Sequence, residues 1–325
     1  MAVTAEKNET LVQLDDILAA QRLLDGKIHR TPTIRSTLLG ERVGVQLYFK
    51  AELFQKTGSF KPRGVLNKVN ELSDEEKARG VISISAGNFA QGLAYASAHL
   101  GVDATVIMPE TAVQSKIDAT VGYGASVVLH GSVKDLLPKC QEIQAERGLT
   151  FVHPFDDLLV IAGHGTLGLE MLEDVPEPDI VIVPVGGGGL ISGVAAAIKH
   201  QNPAVKVIGV EPVGAPAMHR SLEQNAVFHL DKADTIADGL AAPFVGEHNL
   251  AHVKHFVDDM VLVTDDEIIE SLRLIMSRCK LQPEPSAAAS FAALLFEKLS
   301  VPHYAKVICV LSGGNVDHSL LKQIL

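Results

Sequence analysis

"DIVIVPVGGGG" (179–189), followed by "LISGVAAAIKHQ" (190–201) and "KVIGVEP" (206–212), reads as one strand–helix–strand unit. Its strands are continuously apolar rather than alternating. Such strands are covered on both faces, which is the habit of a parallel sheet flanked by helices. The same unit recurs on either side. "GVISISA" (80–86) predicts a strand and "AQGLAYASAHLG" (90–101) a glycine-closed helix; "ATVIMP" (104–109) and "SKIDATVGYG" (115–124) repeat the pair. "ASVVLHG" (125–131) and "KVICVLSGG" (306–314) supply further strands. The early units suffice for a small sheet and the later ones need a larger one. The expected fold is α/β in three layers: a large domain of residues 1–72 and 156–325, with a smaller α/β lobe of residues 73–155 inserted. The cleft between them is the natural ligand site.

With 325 residues, 47% of them hydrophobic, the chain can bury cores of this size. Its 28 Lys and Arg against 39 Asp and Glu leave a net charge of −11. That balance, without any basic run, argues against nucleic acid and anionic membranes and for a small-molecule ligand. The start, "MAVTAEKNETLVQLDDILAAQRLLDG", is polar and then amphipathic, unlike a signal peptide. No stretch of about 18 uncharged apolar residues appears. Cys140, Cys279 and Cys309 are odd in number and far apart, which predicts three buried free thiols in a reducing, cytoplasmic setting.

Gly186 to Gly189 join an apolar strand to an apolar helix. Four residues without side chains let backbone N–H groups converge on an anion at a helix N-terminus, usually a phosphate. A tight turn is the plain alternative. A dinucleotide site is a third reading, since Glu211 at the end of the next strand stands where a ribose-binding acid would. No G-x-G-x-x-G aligns here, however, so an NAD-dependent oxidoreductase is disfavoured. "VLSGGNVD" (310–317) places Ser312 and two glycines at another strand end, suited to a flat ring or to an ordinary turn. "SAGNFAQG" (85–92) is a third junction, suited to a carboxylate or to a helix capped by Ser85 or Asn88.

"LFQKTGSFKPRG" (53–64) adds two lysines among Gly, Ser, Thr and Pro. "GSFKPRG" resembles the S-F-K-x-R-G segment of the fold type II (tryptophan synthase β-like) pyridoxal-phosphate enzymes, specifically threonine/serine dehydratases and serine racemases. The resemblance extends from "HRTPTIRS" through "VIAGHGTLGLE", "IADGLA" and "FVDDMVLVTDDEI" to "LSGGNVD". It implies pyridoxal 5'-phosphate as cofactor, Lys61 as the lysine that attaches it, and Lys56 as a solvated or loop-stabilising charge. By the same resemblance Phe60 lies beside the ring, Asn88 meets the phenolic oxygen, Gly186, Gly187, Gly188 and Gly189 hold the phosphate, and Ser312 meets the ring nitrogen. Ser85, Ala86, Gly87, Asn88 and Phe89 hold the substrate carboxylate. The implied activity is elimination of water from a β-hydroxy amino acid, giving a 2-oxo acid and ammonia, by a homodimer.

Three positions depart from the pattern. Ala86 stands where racemases carry a serine as second base, which disfavours racemisation. Glu211, Ala215 and Ala217 fall where relatives bind a divalent cation with two carboxylates, so no metal is expected. Phe89 replaces the usual histidine of S-x-G-N-H. It implies either packing under the loop or, with Phe155 and Leu240, a pocket for an aryl substrate such as L-threo-3-phenylserine, and the overall similarity is closest to phenylserine dehydratase. The remaining alternatives are a serine racemase-like enzyme and a non-catalytic amino-acid-binding protein. Glu284 reads either as a group approaching the ring or, equally well, as a plain helix start, and is not singled out; "TDDEIIE" (264–270) reads as a helix capped by Thr264 or Asp265, and "SLRLIMSRC" (271–279) as an amphipathic core helix.

Overall fold

The computed structural model describes residues 11–324. Its strands are β1 (Thr33–Arg35), β2 (Gln46–Ala51), β3 (Val81–Ile84), β4 (Ala104–Met108), β5 (Ser126–Leu129), β6 (Thr150–Phe151), β7 (Ile180–Pro184), β8 (Lys206–Pro212), β9 (Asp259–Val263) and β10 (Lys306–Leu311). They form a six-stranded sheet ordered β1-β2-β10-β7-β8-β9 and a four-stranded sheet ordered β5-β4-β3-β6. Every pairing is parallel except β1 with β2. All five residues of β7 and of β4 are buried, as continuous apolar runs require. Each fully buried Val or Ile contributes about 1.5–3 kcal/mol.

Strand order decides where ligands can bind. From β7 the chain moves outward to β8 and β9, then returns to place β10 on β7's other side. From β3 it moves to β4 and β5, then places β6 on the other side of β3. Each sheet therefore has its own switch point, where neighbouring loops diverge and leave a crevice at the strands' C-terminal ends.

Helix Lys61–Asn70 packs into the core of the small sheet and against helix Leu158–Asp174 of the large-sheet core. Its Val65, Leu66 and Val69 join the apolar cluster under the small sheet, with Ala90 and Leu93 of helix Asn88–Leu100. Its other side meets helix Leu158–Asp174. A Cβ on Gly163 would lie 2.3 Å from the Arg63 carbonyl oxygen, so only glycine permits that approach. The same helix presses on helix Gly189–Gln201 at Gly193, where a Cβ would lie 2.2 Å from the Ile161 carbonyl. "AGHGTLG" thus brings the lysine-bearing helix and the helix after the glycine loop together on one support.

Two local expectations are corrected. The "SLRLIMSRC" segment is not one regular α-helix, because Ile275–Cys279 winds as a π-helix ending at Lys280 with φ 59°. The sulfhydryl of Cys279 is only half-buried and contacts Ser36 Oγ at 3.3 Å, whereas Cys140 and Cys309 are buried. Thr264 caps its helix, with Glu267 closing the capping box.

Candidate active site

The lysine-bearing segment is tied to the end of β10. Phe60 donates its N–H to the Ser312 carbonyl at 3.1 Å, and Ser59 pairs with Gly313. Lys61 then opens helix Lys61–Asn70, with Pro62 in its first turn. Because β10 lies beside β7, this tie brings Lys61 next to the glycine loop.

One cavity of about 520 Å³ brings together Phe60, Lys61, residues 85–89, Gly186 to Gly189 and Ser312, and Phe155 and Leu240 also line it. Lys56 is exposed and outside it. Lys61 Nζ stands 4.7 Å from the Phe60 ring centroid and 5.7 Å from that of Phe89. Burial lowers the Lys61 pKa to about 8, against the pull of the Glu284 charge. A neutral amine is thereby accessible near physiological pH.

The glycine loop fits a phosphate. Among the described residues, none of the N–H groups of Gly186 to Gly189 finds a protein acceptor. The carbonyls are held elsewhere: Gly187 O accepts from Asn249 Nδ2 at 2.8 Å and Gly188 O from the Ser192 amide at 3.0 Å. Unpaired donors at the start of a helix of 13 residues, with their carbonyls fastened away, form an anion cradle. Gly188 sits at φ +97°, and a Cβ there would lie 2.8 Å from Asn249 Cβ. Gly188→Ala is expected to weaken cofactor retention at least ~10-fold through backbone strain of about 1–2 kcal/mol, measured by equilibrium dialysis against free cofactor. An unchanged dissociation constant would deny the loop this role.

Residues 85–89 follow β3 at the small sheet's switch point. Neither expected cap is used. Gly87 occupies the cap position, Ser85 Oγ accepts the Gly87 N–H at 3.2 Å, and Asn88 is the first helical residue. The Asn88 amide instead donates to Glu284 Oε1 and Oε2 at 2.8 and 3.1 Å, while its oxygen accepts from Asn315 Nδ2 at 2.8 Å. The side chain is thus turned into the cavity, because backbone caps do not claim it. Phe89 lines the cavity yet is only 3% exposed and packs mainly into the small-sheet core.

Glu284 lies at the N-cap position of helix Pro285–Leu295, but its side chain faces the cavity rather than the helix. Burial, with the Asp238 charge nearby, raises its pKa to about 7, opposed by the Asn88 hydrogen bond and Lys116. Lys116 and Asp238 also line the cavity and pair with each other. No motif marked these two in the sequence, because they meet only when the lobes do. Glu211 is fully buried and accepts the amides of Met218 and His219 at 2.7 and 2.8 Å, which commits it to a helix start rather than to a ribose.

Comparison with known proteins agrees with this geometry. The family described as pyridoxal-phosphate dependent enzyme matches residues 24–313. The L-threonine ammonia-lyase of Thermotoga maritima is 45% identical over 316 residues, 97% of this chain and 78% of that protein. Among solved structures, maize serine racemase superposes with a TM-score of 0.92 at 38% identity, covering 96% of both chains. The processed threonine deaminase isoform 2 of Solanum lycopersicum gives 0.91 at 38%, covering 98% of this chain and 93% of that one. With its buried lysine, glycine cradle and two facing switch points, the chain belongs to the pyridoxal-phosphate dependent enzymes of the ammonia-lyase type.

Proposed function

We propose that this protein eliminates water from a β-hydroxy amino acid, L-threonine or L-serine in the first instance, leaving a 2-oxo acid and ammonia. Pyridoxal phosphate, when bound, withdraws electrons from the substrate's α-carbon and so makes its proton removable. Lys61 holds the cofactor and, as a neutral amine, takes the α-proton. When the cofactor is bound, the amides of Gly186 to Gly189 would hold its phosphate, and Ser312 and Phe60, which line the same cavity, would hold and shield its ring. The amides of Ala86, Asn88 and Phe89, for which the described residues offer no acceptor, orient the substrate carboxylate. Ala86 is the observation that favours elimination over racemisation: its methyl group lines the cavity where a second base would be needed to return a proton to the other face. A second base is worth about 10²–10⁴ in rate. D-serine should therefore form from L-serine more than ~100-fold more slowly than pyruvate. Comparable rates would support a racemase instead.

An aryl substrate is the second reading. Pro154, Phe155, Leu240 and Pro243 give the cavity an apolar wall, although Phe89 turns most of its ring to the core. The deciding measurement is kcat/KM for L-threonine, L-serine and L-threo-3-phenylserine. A phenylserine advantage above tenfold, or about 1.4 kcal/mol, would assign that wall to a phenyl ring. Its absence would leave the wall as packing. Three free thiols support a cytoplasmic setting, and the resemblance supports a homodimer.

A further inference from the structure

Among the described residues, the charged side chains lining the cavity are four: Lys61, Lys116, Asp238 and Glu284. They balance. Glu284 supplies the counter-charge felt by Lys61. Lys116, on helix Gln114–Gly122 beside the small sheet, reaches across the cleft to Asp238 Oδ2 in the 3-10 turn Asp238–Leu240. The Lys116 side chain is 16% exposed and that of Asp238 56%, which puts this pair at the open end of the cavity. Around it the lining is uncharged, with Thr111, Val113, Val133 and Ala242. The approach of the helix is fixed by further contacts across the cleft: Ser115 Oγ donates to Asp317 at 3.3 Å and Tyr123 Oη to the Lys56 carbonyl at 3.4 Å.

The inner end is already allotted to the cofactor, and residues 85–89 to the α-carboxylate. The substituent on the β-carbon is left to extend toward Lys116. We infer that the Lys116–Asp238 pair determines specificity, admitting substrates with a neutral β-substituent and rejecting those with an acidic one. The inference rests on the β-hydroxy amino acid reading and names its substrate class. A side-chain carboxylate entering here sheds water, finds its one candidate cation neutralised, and meets Asp238 and Glu284 as like charges. A methyl or phenyl group incurs none of these costs. Removal of the Asp238 charge alone would turn Lys116 into a free cation facing the ligand.

The test uses holoenzyme and two amino acids that differ only in a terminal carboxylate or methyl group, L-aspartate and L-2-aminobutyrate. Dissociation constants are read from the change in bound-cofactor absorbance, so turnover is not needed. Wild type should bind L-2-aminobutyrate at least ~10-fold more tightly, and Asp238→Asn should shift the ratio toward L-aspartate by ~10-fold, a change of about 1.4 kcal/mol. Lys116→Met should move it the opposite way, and the double substitution should cancel the gain. The inference is overturned if wild type binds both alike, if the Asp238→Asn ratio stays within twofold of wild type, or if Lys116→Met favours aspartate. Failure to turn over threonine, serine and phenylserine alike would remove the functional reading instead, and leaves the binding ratios to decide the charge argument.

Discussion

Replacement of Lys61 by alanine is expected to lower kcat/KM for every substrate by at least ~10⁴-fold, because one side chain both attaches the cofactor and carries the α-proton. The fold should survive. Lys61 Nζ has no hydrogen-bond partner among the described residues; it meets only the faces of Phe60 and Phe89 and the charge of Glu284, while burial opposes its protonation. Truncation therefore leaves no partner unsatisfied and removes a desolvation cost. Circular dichroism and thermal midpoint should be close to wild type while the absorbance of the protein–cofactor linkage disappears. The pH dependence carries a sign. With the pKa lowered to about 8, the amine is mostly protonated below that pH and mostly neutral above it. Attachment of added pyridoxal phosphate to cofactor-free wild type should rise about tenfold per pH unit below 8 and level off above. A rise that continues to pH 10 would mean that burial leaves the amine unperturbed. Residual turnover in Lys61→Ala within ~100-fold of wild type would assign the proton transfer to another base.

The difference between what the chain reveals and what it conceals follows range. The strands were legible because each is a local apolar run, and β4 and β7 are buried along their whole length. The anion cradle was legible because four consecutive glycines need no partner to be noticed. Lys61 could be separated from Lys56 only by resemblance, since both share one polar segment; the structure separates them by the tie of Phe60 to Ser312. The sequence left Asn88 open between a helix cap and a site residue because a cap is a local signal, whereas its partner Glu284 lies 196 residues away. Lys116 and Asp238 sit in unremarkable helix and turn sequence and acquire meaning only 122 residues apart across the cleft. The exchange of α-winding for π-winding at Ile275 likewise has no periodic signature.

Arg63→Ala is expected to destabilise the fold by about 3–5 kcal/mol, the loss that follows when a buried pair is left with one partner. Arg63 is fully buried two residues after Lys61, and its guanidinium uses all five N–H groups. Nε and Nη2 reach Glu52 at 2.8 Å each, Nη1 and Nη2 reach Glu170 at 2.7 and 3.0 Å, and Nη1 also meets Thr166 Oγ1 at 3.2 Å. Lys50 also neutralises Glu170, at 2.8 Å from the same Oε2 that Nη2 reaches. Without Arg63, the fully buried Glu52 keeps only Thr31 as a direct partner. Arg63→Lys retains the charge but not the fork, and should recover only part of the loss. The informative variant is Glu52→Leu with Arg63→Met, which removes one charge of each sign and leaves Glu170 with Lys50. Apolar replacement of a buried pair is often neutral or stabilising, so the urea midpoint should return close to wild type. The kcat should not return. Two carboxylates gripping a planar fork fix the first turn of the helix that carries Lys61, and a misplacement of about 1 Å at a reacting group costs ~10²-fold. A double variant that regains both stability and kcat would show that Arg63 serves the fold alone, whereas stability without rate identifies it as the residue that aims Lys61.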